Sequence, residues 1–86
     1  MTSTYWVELV RQAVKDYEEI PASDRPSIKK ALLALEENPR GHQVKKLEGR
    51  DYYRLRVGDW RVIFAISDKY KRVTVIAVER RTSTTY

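Results

Sequence analysis

Hydrophobic residues recur along this chain with two different periods, which divide it into a helical part and a strand-rich part. Residues 4–9 alternate weakly and are rich in aromatic and β-branched side chains, which indicates a first strand. Two helices are predicted next: one that Pro21 ends, and one that begins after an N-cap at Ser23 and closes at residues 38–41. Their apolar stripes are Val10, Ala13, Val14, Tyr17 and Ile20, and then Ile28, Ala31, Leu32 and Leu35.

From residue 43 onward the pattern becomes typical of strands. Residues 44–49 are predicted to form a strand or an extended lead-in, residues 51–66 two short strands, and residues 72–79 a central strand rich in Val and Ile. The order β-α-α-β-β-β predicts an α+β domain, with two N-terminal antiparallel helices packed on one face of a mostly antiparallel sheet. A chain of 86 residues supports one modest core, so residues 1–86 are expected to form a single domain.

The two strands of residues 51–66 are predicted to form a tight hairpin. Gly58 and Asp59 suit its two-residue turn, since glycine adopts positive φ without strain and Asp is common in turns. If Val57 and Trp60 flank the turn as an opposed pair, alternation gives the hairpin one apolar face. The other face then carries Arg54, Arg56, Arg61, Ile63 and Ala65.

The arginine face is the first candidate for a binding site. In the predicted register Arg56 lies opposite Arg61, and like charges placed directly across a strand pair are destabilising. An anion that the arginines hold in common would explain the arrangement. The alternative is an ordinary solvated sheet face, on which arginines are also frequent.

The charge of the chain is concentrated in its C-terminal half. Residues 1–39 carry 5 Lys/Arg and 7 Asp/Glu, net −2, whereas residues 40–86 carry 12 Lys/Arg and 5 Asp/Glu, net +7. This asymmetry favours a nucleic acid or an acidic protein as the partner. A membrane surface is a poorer partner, because the basic half is predicted to form strands rather than an amphipathic helix. No apolar run approaches the ~20 residues of a transmembrane helix. No export signal is recognised and there is no Cys, so we expect a cytoplasmic protein.

The segment KKLEGRDYYRLRVGDWRVIFAI, the following VTVIAVERR and the terminal Tyr86 resemble the RelE/ParE superfamily of bacterial and archaeal toxins, and the resemblance covers nearly the whole chain. In the RelE branch it implies a toxin of a toxin–antitoxin system that enters the ribosomal A site, contacts ribosomal RNA and cuts messenger RNA without a metal. A cognate antitoxin is the implied protein partner. By position, the catalytic set implied by the resemblance falls on Arg54, Arg56, Arg61, Arg81 and Tyr86.

Departures from the family pattern concern this set and the residue before Arg81, and the spacing from Arg81 to Tyr86 is also not the commonest in the family. RelE itself has lysines at the positions of Arg54 and Arg56, and relatives with a GHR signature have His at the position of Arg80. Because arginine stays charged at every working pH, Arg54 is expected to stabilise charge rather than to take a proton. Further cations of the basic half that are expected to contact RNA are Lys45, Lys46, Arg50 and Arg80.

Proton transfer, if this chain performs it, is expected at Tyr86, whose pKa nearby cations would lower toward the useful range. The alternatives are that Tyr86 is a frayed terminus or that it stacks on a base. His42, the only histidine, is interpreted as a solvated loop residue. One His, no Cys and no close Asp/Glu cluster provide no ligand set for a metal, and no cofactor is expected.

Two other functions stay open on the sequence. One is a ParE-like toxin that poisons DNA gyrase, and the other is a non-catalytic module whose basic face docks an acidic protein. The resemblance favours the nuclease, because gyrase-poisoning members generally lack the full set that Arg61, Arg81 and Tyr86 would supply here.

Overall fold

The computed structural model describes residues 4–41 and 43–80, and within them it contains two helices and five strands. No helix in this part of the chain has the length and apolar character needed to cross a membrane. His42, Arg81 and Tyr86 lie outside the described residues. The elements in chain order are β1 (Trp6–Leu9), α1 (Arg11–Glu18), α2 (Arg25–Glu37), β2 (Val44–Lys46), β3 (Tyr53–Val57), β4 (Trp60–Ser67) and β5 (Arg72–Arg80).

The described strands form one sheet in the order β1-β5-β4-β3-β2. β1 runs parallel to β5, and each of the other neighbouring pairs is antiparallel. This confirms the predicted α+β class, with one strand more than the order β-α-α-β-β-β because residues 44–46 pair with β3. The segment predicted to extend to residue 49 stops at Lys46, since the chain then turns through Gly49, whose φ is +73°.

The hairpin of β3 and β4 has the predicted register. Val57 lies opposite Trp60 and Arg56 opposite Arg61, on either side of a turn in which Gly58 has a φ of +58°. Positive φ is easily adopted by glycine, so this residue allows the two strands to connect in two residues. The turn therefore fixes which side chains of the hairpin share a face.

The core lies between the helices and one face of the sheet. Apolar side chains at alternate strand positions meet apolar residues of both helices, which is the packing expected of an amphipathic helix on a half-buried sheet. Two members of the predicted stripe of α1, Val10 and Val14, are exposed instead of entering the core. At its centre Phe64 is fully buried and stacks on Tyr53, with 5.9 Å between the ring centroids. The buried apolar residues are Ala13, Ile20, Ile28, Leu35, Leu55, Val62, Phe64, Val73, Val75 and Val78.

The N-cap of α2 is Asp24, and the prediction of Ser23 is therefore wrong by one residue. The Asp24 carboxylate makes no side-chain capping bond, and its Oδ2 accepts a hydrogen bond from the indole Nε1 of Trp60 at 3.1 Å. This long-range bond joins the start of α2 to the hairpin. The Asp24 side chain thus bonds to a residue 36 positions away in sequence and not to the first N–H groups of its own helix.

A β-bulge interrupts the pairing of β4 with β5. Ile63 lies opposite Ala77 and the next residue, Phe64, opposite Val75, so that Ile76 is an extra residue in β5. The bulge keeps Val75 and Val78 on the core side although they are three positions apart. Beside it, Asp16 of α1 accepts a hydrogen bond through Oδ2 from the backbone N–H of Val78 at 3.0 Å. Asp16 thus satisfies a strand donor that β1 does not reach.

A polar network ties together the far end of the sheet. Arg40 donates from Nη1 and Nη2 to both carboxylate oxygens of Asp68, at 2.9 and 3.0 Å, and the Tyr5 hydroxyl donates to Oδ1 of Asp68 at 2.7 Å. The guanidinium of Arg40 also lies over the ring of Tyr53. Hydrogen bonds from Arg40 and Tyr5 lower the pKa of Asp68 to about 2, and the hydrogen bond to Asp68 raises the pKa of Tyr5.

The first prediction concerns this network. Because the pKa of Asp68 is depressed on folding, its ionised form stabilises the protein above the unfolded pKa of about 3.9, and this contribution is lost as pH falls toward 2. Asp68→Asn is therefore expected to lower Tm at pH 7, and the difference from the unmodified protein should shrink as pH approaches 2. Thermal melts from pH 7 to 2 measure both effects.

The control for Asp68→Asn is Asp59→Asn, which makes the same chemical change in the hairpin turn. It is expected to have little effect on Tm, because Asn suits turns as well as Asp does. If the two variants melt alike at every pH, the network does not stabilise the fold.

Candidate nucleic-acid interface

The sheet face opposite the helices is here called the open face. Its residues are identified by alternation: they occupy the strand positions between the side chains that enter the core. Most of the charged side chains of the strands lie on it, together with a few small or apolar ones. The open face comprises Trp6, Glu8, Lys45, Arg54, Arg56, Arg61, Ile63, Ala65, Ser67, Arg72, Thr74, Ile76, Ala77 and Glu79.

Four cations of the open face lie on three adjacent strands and form what we call the basic cluster: Lys45, Arg54, Arg56 and Arg61. Arg56 pairs directly with Arg61, and Lys45 of β2 pairs with Arg54. Directly opposed residues have Cβ atoms about 5 Å apart, so each of these pairs can contact the same small anion or adjacent phosphates of one strand. The sequence predicted the grouping of the three arginines, and the sheet adds Lys45 to their side.

Arg61 has an acidic partner that the sequence analysis missed. Its Nη2 donates to Oε1 of Glu79 at 3.0 Å, across the pair that β4 forms with β5. The two side chains remain 41% and 50% exposed, so both stay accessible to a ligand. The Nε of Arg61 is shielded from solvent and has no hydrogen-bond partner among the described residues. Glu79 thus fixes one end of the Arg61 guanidinium, and its negative charge partly offsets the repulsion between Arg61 and Arg56.

The bulge at Ile76 explains why this partner was missed. Strict alternation from Val75 would place Glu79 on the helix side of the sheet and Arg80 on the open face. The extra residue reverses both, so that Glu79 reaches Arg61 and Arg80 lies over the ring of Trp60 on the helix side, 5.5 Å from its centroid. The sequence contained a signal for this shift. Val78 is typical of cores, whereas Glu79 is charged and would not be buried without a partner, so Val78 is the residue expected to face the helices.

Three of the cations expected to contact RNA lie apart from the basic cluster. Lys46 pairs with Tyr53 and therefore points to the helix side of the sheet, Arg50 belongs to the loop between β2 and β3, and Arg80 stacks on Trp60. Among the residues expected to contact RNA, only Lys45 is brought beside the arginines. The predicted roles of Arg81 and Tyr86 fall on residues that the structure does not describe.

The chemistry available to the open face follows from its side chains. The planar guanidinium groups of the basic cluster can each hold two phosphate oxygens and remain charged at any working pH. They cannot serve as a general base near neutrality, for the same reason. Glu79 is the carboxylate in contact with the cluster. Within the described ranges, no group of three or more His, Asp or Glu is placed to hold a metal ion.

Comparison with known proteins places these features in a family context. The family model described as ParE toxin of type II toxin-antitoxin system, parDE, matches residues 7–84. A protein of Methanocaldococcus jannaschii that carries the name toxin RelE1 is 28% identical over 79 residues, which cover 87% of this chain and 88% of that protein.

Two solved structures have the same fold as this chain. The RelE–RelB complex from the archaeon Pyrococcus horikoshii OT3 matches with a TM-score of 0.83 and 31% identity, over 94% of this chain and 99% of the other. The intact RelBE toxin–antitoxin complex of E. coli matches with a TM-score of 0.77 and 28% identity, over 91% and 98%. Both matches extend over more than nine tenths of this chain, so the whole fold and not one part of it is shared.

Proposed function

We propose that this chain, which belongs to the ParE toxin family of type II toxin–antitoxin systems, cuts messenger RNA in the A site of the translating ribosome. The observation that carries the proposal is the basic cluster, in which Lys45, Arg54, Arg56 and Arg61 face solvent together on the sheet. Such a surface suits the phosphates of a single RNA strand. The similarity to proteins named RelE supports the same reading.

The proposed reaction needs no metal. The 2′-OH of one nucleotide gives up its proton and its oxygen bonds to the adjacent phosphorus. The bond from that phosphorus to the 5′-oxygen of the next nucleotide breaks, and the departing oxygen takes up a proton, which leaves a 2′,3′-cyclic phosphate and a 5′-hydroxyl. Negative charge develops on the phosphoryl oxygens during this step, and Arg54, Arg56 and Arg61 would stabilise it by charge-assisted hydrogen bonds. By resemblance, Arg81 would add a further positive charge and Tyr86 would transfer a proton. Contact with ribosomal RNA would fall to other cations of the basic half, among them Lys46, Arg50 and Arg80.

The test of this proposal uses purified toxin and ribosomes that are translating a defined messenger. We expect cleavage within the A-site codon and products that end in a 2′,3′-cyclic phosphate or a 3′-phosphate. The same messenger without ribosomes should stay largely intact. Efficient cutting of naked RNA would contradict ribosome dependence, and the absence of cutting in both settings would reject the nuclease.

One alternative has an observation in its favour, because the matching family model is described as ParE. A ParE-like toxin would poison DNA gyrase instead of cutting RNA. Expression in a bacterial host separates the two functions: the nuclease stops protein synthesis first, whereas the gyrase poison induces the DNA-damage response first. Incorporation of labelled amino acids, measured beside a DNA-damage reporter, gives the answer.

The expected protein partner is a cognate antitoxin, since the similar RelE proteins of P. horikoshii and E. coli were solved in complex with RelB. A partner that neutralises this toxin needs an acidic surface, because residues 40–86 carry a net charge of +7. Co-expression with the cognate antitoxin should restore growth, and the complex should weaken as salt rises. Both proteins would act in the cytoplasm, where ribosomes are found.

The second prediction concerns Glu79. Glu79→Gln removes the negative charge beside Arg61, so we expect a few-fold tighter binding of a single-stranded 2′-O-methyl oligonucleotide, which cannot be cleaved. The slope of log K against log salt should steepen by about 0.7, the value for one additional phosphate contact. Fluorescence anisotropy over a range of NaCl concentrations measures both quantities.

Glu37→Gln makes the same change at the end of α2, on the helix side, and serves as the control for Glu79→Gln. It should raise the affinity less and leave the slope nearly unchanged. If Glu79→Gln weakens binding instead, then Glu79 holds Arg61 in its binding position, and neutralisation of the cluster is not its main effect.

A further inference from the structure

Trp6 is an exposed aromatic residue at the opposite end of the open face from the hairpin turn. Side chains alternate between the two faces of a strand, and Val7 and Leu9 pack against the core, so the indole of Trp6 lies on the open face. The residue is 70% exposed, although Trp side chains are on average highly buried. A large aromatic group presented in this way has surface available for a ligand.

Arg72 lies beside Trp6 on the next strand. The two residues pair in the parallel ladder of β1 and β5, and the guanidinium of Arg72 makes one loose contact, 3.8 Å from Oε2 of Glu8. More than half of the Arg72 side chain is exposed. Trp6 and Arg72 together thus offer a stacking surface next to a positive charge, which is the combination that single-stranded nucleic acids require.

The distance from this pair to the basic cluster follows from the register. Arg72 pairs with Ser67, which is six residues along β4 from Arg61. At about 3.3 Å per residue the two ends are about 20 Å apart along the strand. The surface between them carries small or uncharged side chains, namely Ile63, Ala65, Thr74 and Ala77. The two acids of the open face, Glu79 and Glu8, lie at the two ends of this path, and each is within ion-pair distance of a cation, Arg61 or Arg72. A strand of several nucleotides can therefore cross the sheet from the cluster to Trp6 over an uncharged middle.

The charge of the open face favours a polyanion as the occupant, and the exposed ring of Trp6 beside Arg72 favours RNA over an acidic protein. Among its described residues it carries five cations, Lys45, Arg54, Arg56, Arg61 and Arg72, and two acids, Glu8 and Glu79, which leaves a net charge of +3. We infer that Trp6 stacks on a base of the single-stranded RNA whose phosphates occupy the basic cluster, and that Arg72 holds a phosphate next to that base. This inference rests on the proposed function and adds a second contact point for the same strand.

The test is binding of a short 2′-O-methyl oligonucleotide, which reports contact without cleavage. Trp6→Ala is expected to weaken binding about tenfold, whereas Trp6→Phe should stay within about threefold, because stacking needs only an aromatic ring. Arg72→Ala should weaken binding and flatten the salt slope by about 0.7. Trp fluorescence should be quenched by the oligonucleotide, and the quench should disappear in Trp6→Phe, in which Trp60 is the remaining Trp.

Leu33→Ala, which truncates another exposed apolar side chain on the helix side, is the matched control and should not change binding. Unchanged affinity in Trp6→Ala, with Tm preserved, overturns the inference. So does a result in which Trp6→Ala binds RNA normally but loses the antitoxin, because Trp6 would then be a protein contact. If the oligonucleotide binds through Trp6 and no cleavage occurs on ribosomes, the stacking contact stands and the nuclease fails. If ribosome-dependent cleavage occurs and is unchanged in Trp6→Ala, the nuclease stands and the stacking contact fails.

Discussion

Arg61→Ala is expected to lower the rate of messenger RNA cleavage more than a hundredfold and to leave Tm nearly unchanged. A charge-assisted contact that strengthens in the transition state commonly contributes ~3 kcal/mol, which corresponds to that factor in rate. The effect on stability is small because two terms oppose each other. The exposed ion pair with Glu79 is worth ~0–1 kcal/mol, and the repulsion from the opposed Arg56 disappears with the same substitution.

Single-turnover cleavage on programmed ribosomes and thermal melts of the same protein preparation test this expectation. Lys29→Ala, which removes a positive charge from α2, is the control and should cut normally. Arg81→Ala is expected to lose activity as Arg61→Ala does, on the strength of the family resemblance. A large fall in Tm for Arg61→Ala would make the residue structural. Normal cleavage with a normal Tm would remove it from the site.

Phe64→Ala is expected to destabilise the fold by ~3–5 kcal/mol. Phe64 is fully buried, lies on the middle strand of the sheet and stacks on Tyr53, so that truncation leaves a cavity that neighbours on both layers cannot fill. Domains are typically stable by only ~5–15 kcal/mol, so this variant should be largely unfolded or close to its melting point at 37 °C. Urea denaturation followed by circular dichroism measures the loss.

Phe64→Leu and Leu33→Ala bracket this result. The first keeps most of the apolar volume and should cost less than Phe64→Ala. The second truncates a side chain that is 52% exposed on α2 and should fall within about 0.5 kcal/mol of the unmodified protein. If Phe64→Ala were as stable as Leu33→Ala, the centre of the core would lie elsewhere.

The parts of the fold that the sequence predicted depend on neighbouring residues alone. The hairpin register follows from alternation and a two-residue turn, and it was sufficient to place Arg54, Arg56 and Arg61 on one face. The predicted α+β class has the same origin, since helical stripes and strands are both local patterns. Local patterns also located the second helix to within one residue of its N-cap.

The parts that were missed depend on residues far apart in the chain. Asp24 accepts a hydrogen bond from Trp60, which is 36 residues away. Asp68 accepts hydrogen bonds from Arg40 and Tyr5, which are 28 and 63 residues away. No periodicity signals such pairs. The predicted catalytic roles of Arg61, Arg81 and Tyr86 remain predictions, with the position of the first now described and those of the other two outside the described residues.

The bulge in β5 decides which charged residues of this strand lie on the open face. If Ile76 paired regularly instead of bulging, every later residue of the strand would shift to the opposite side, so that Glu79 would face Trp60 and Arg80 would lie on the open face. The amino-acid composition would be unchanged, yet an acid would leave the open face and a base would join it. Because Ile76 is itself the extra residue, a three-nucleotide deletion of its codon would close the bulge and leave Glu79 opposite Arg61. The charge beside Arg61 therefore tolerates the loss of this residue but not its entry into the ladder.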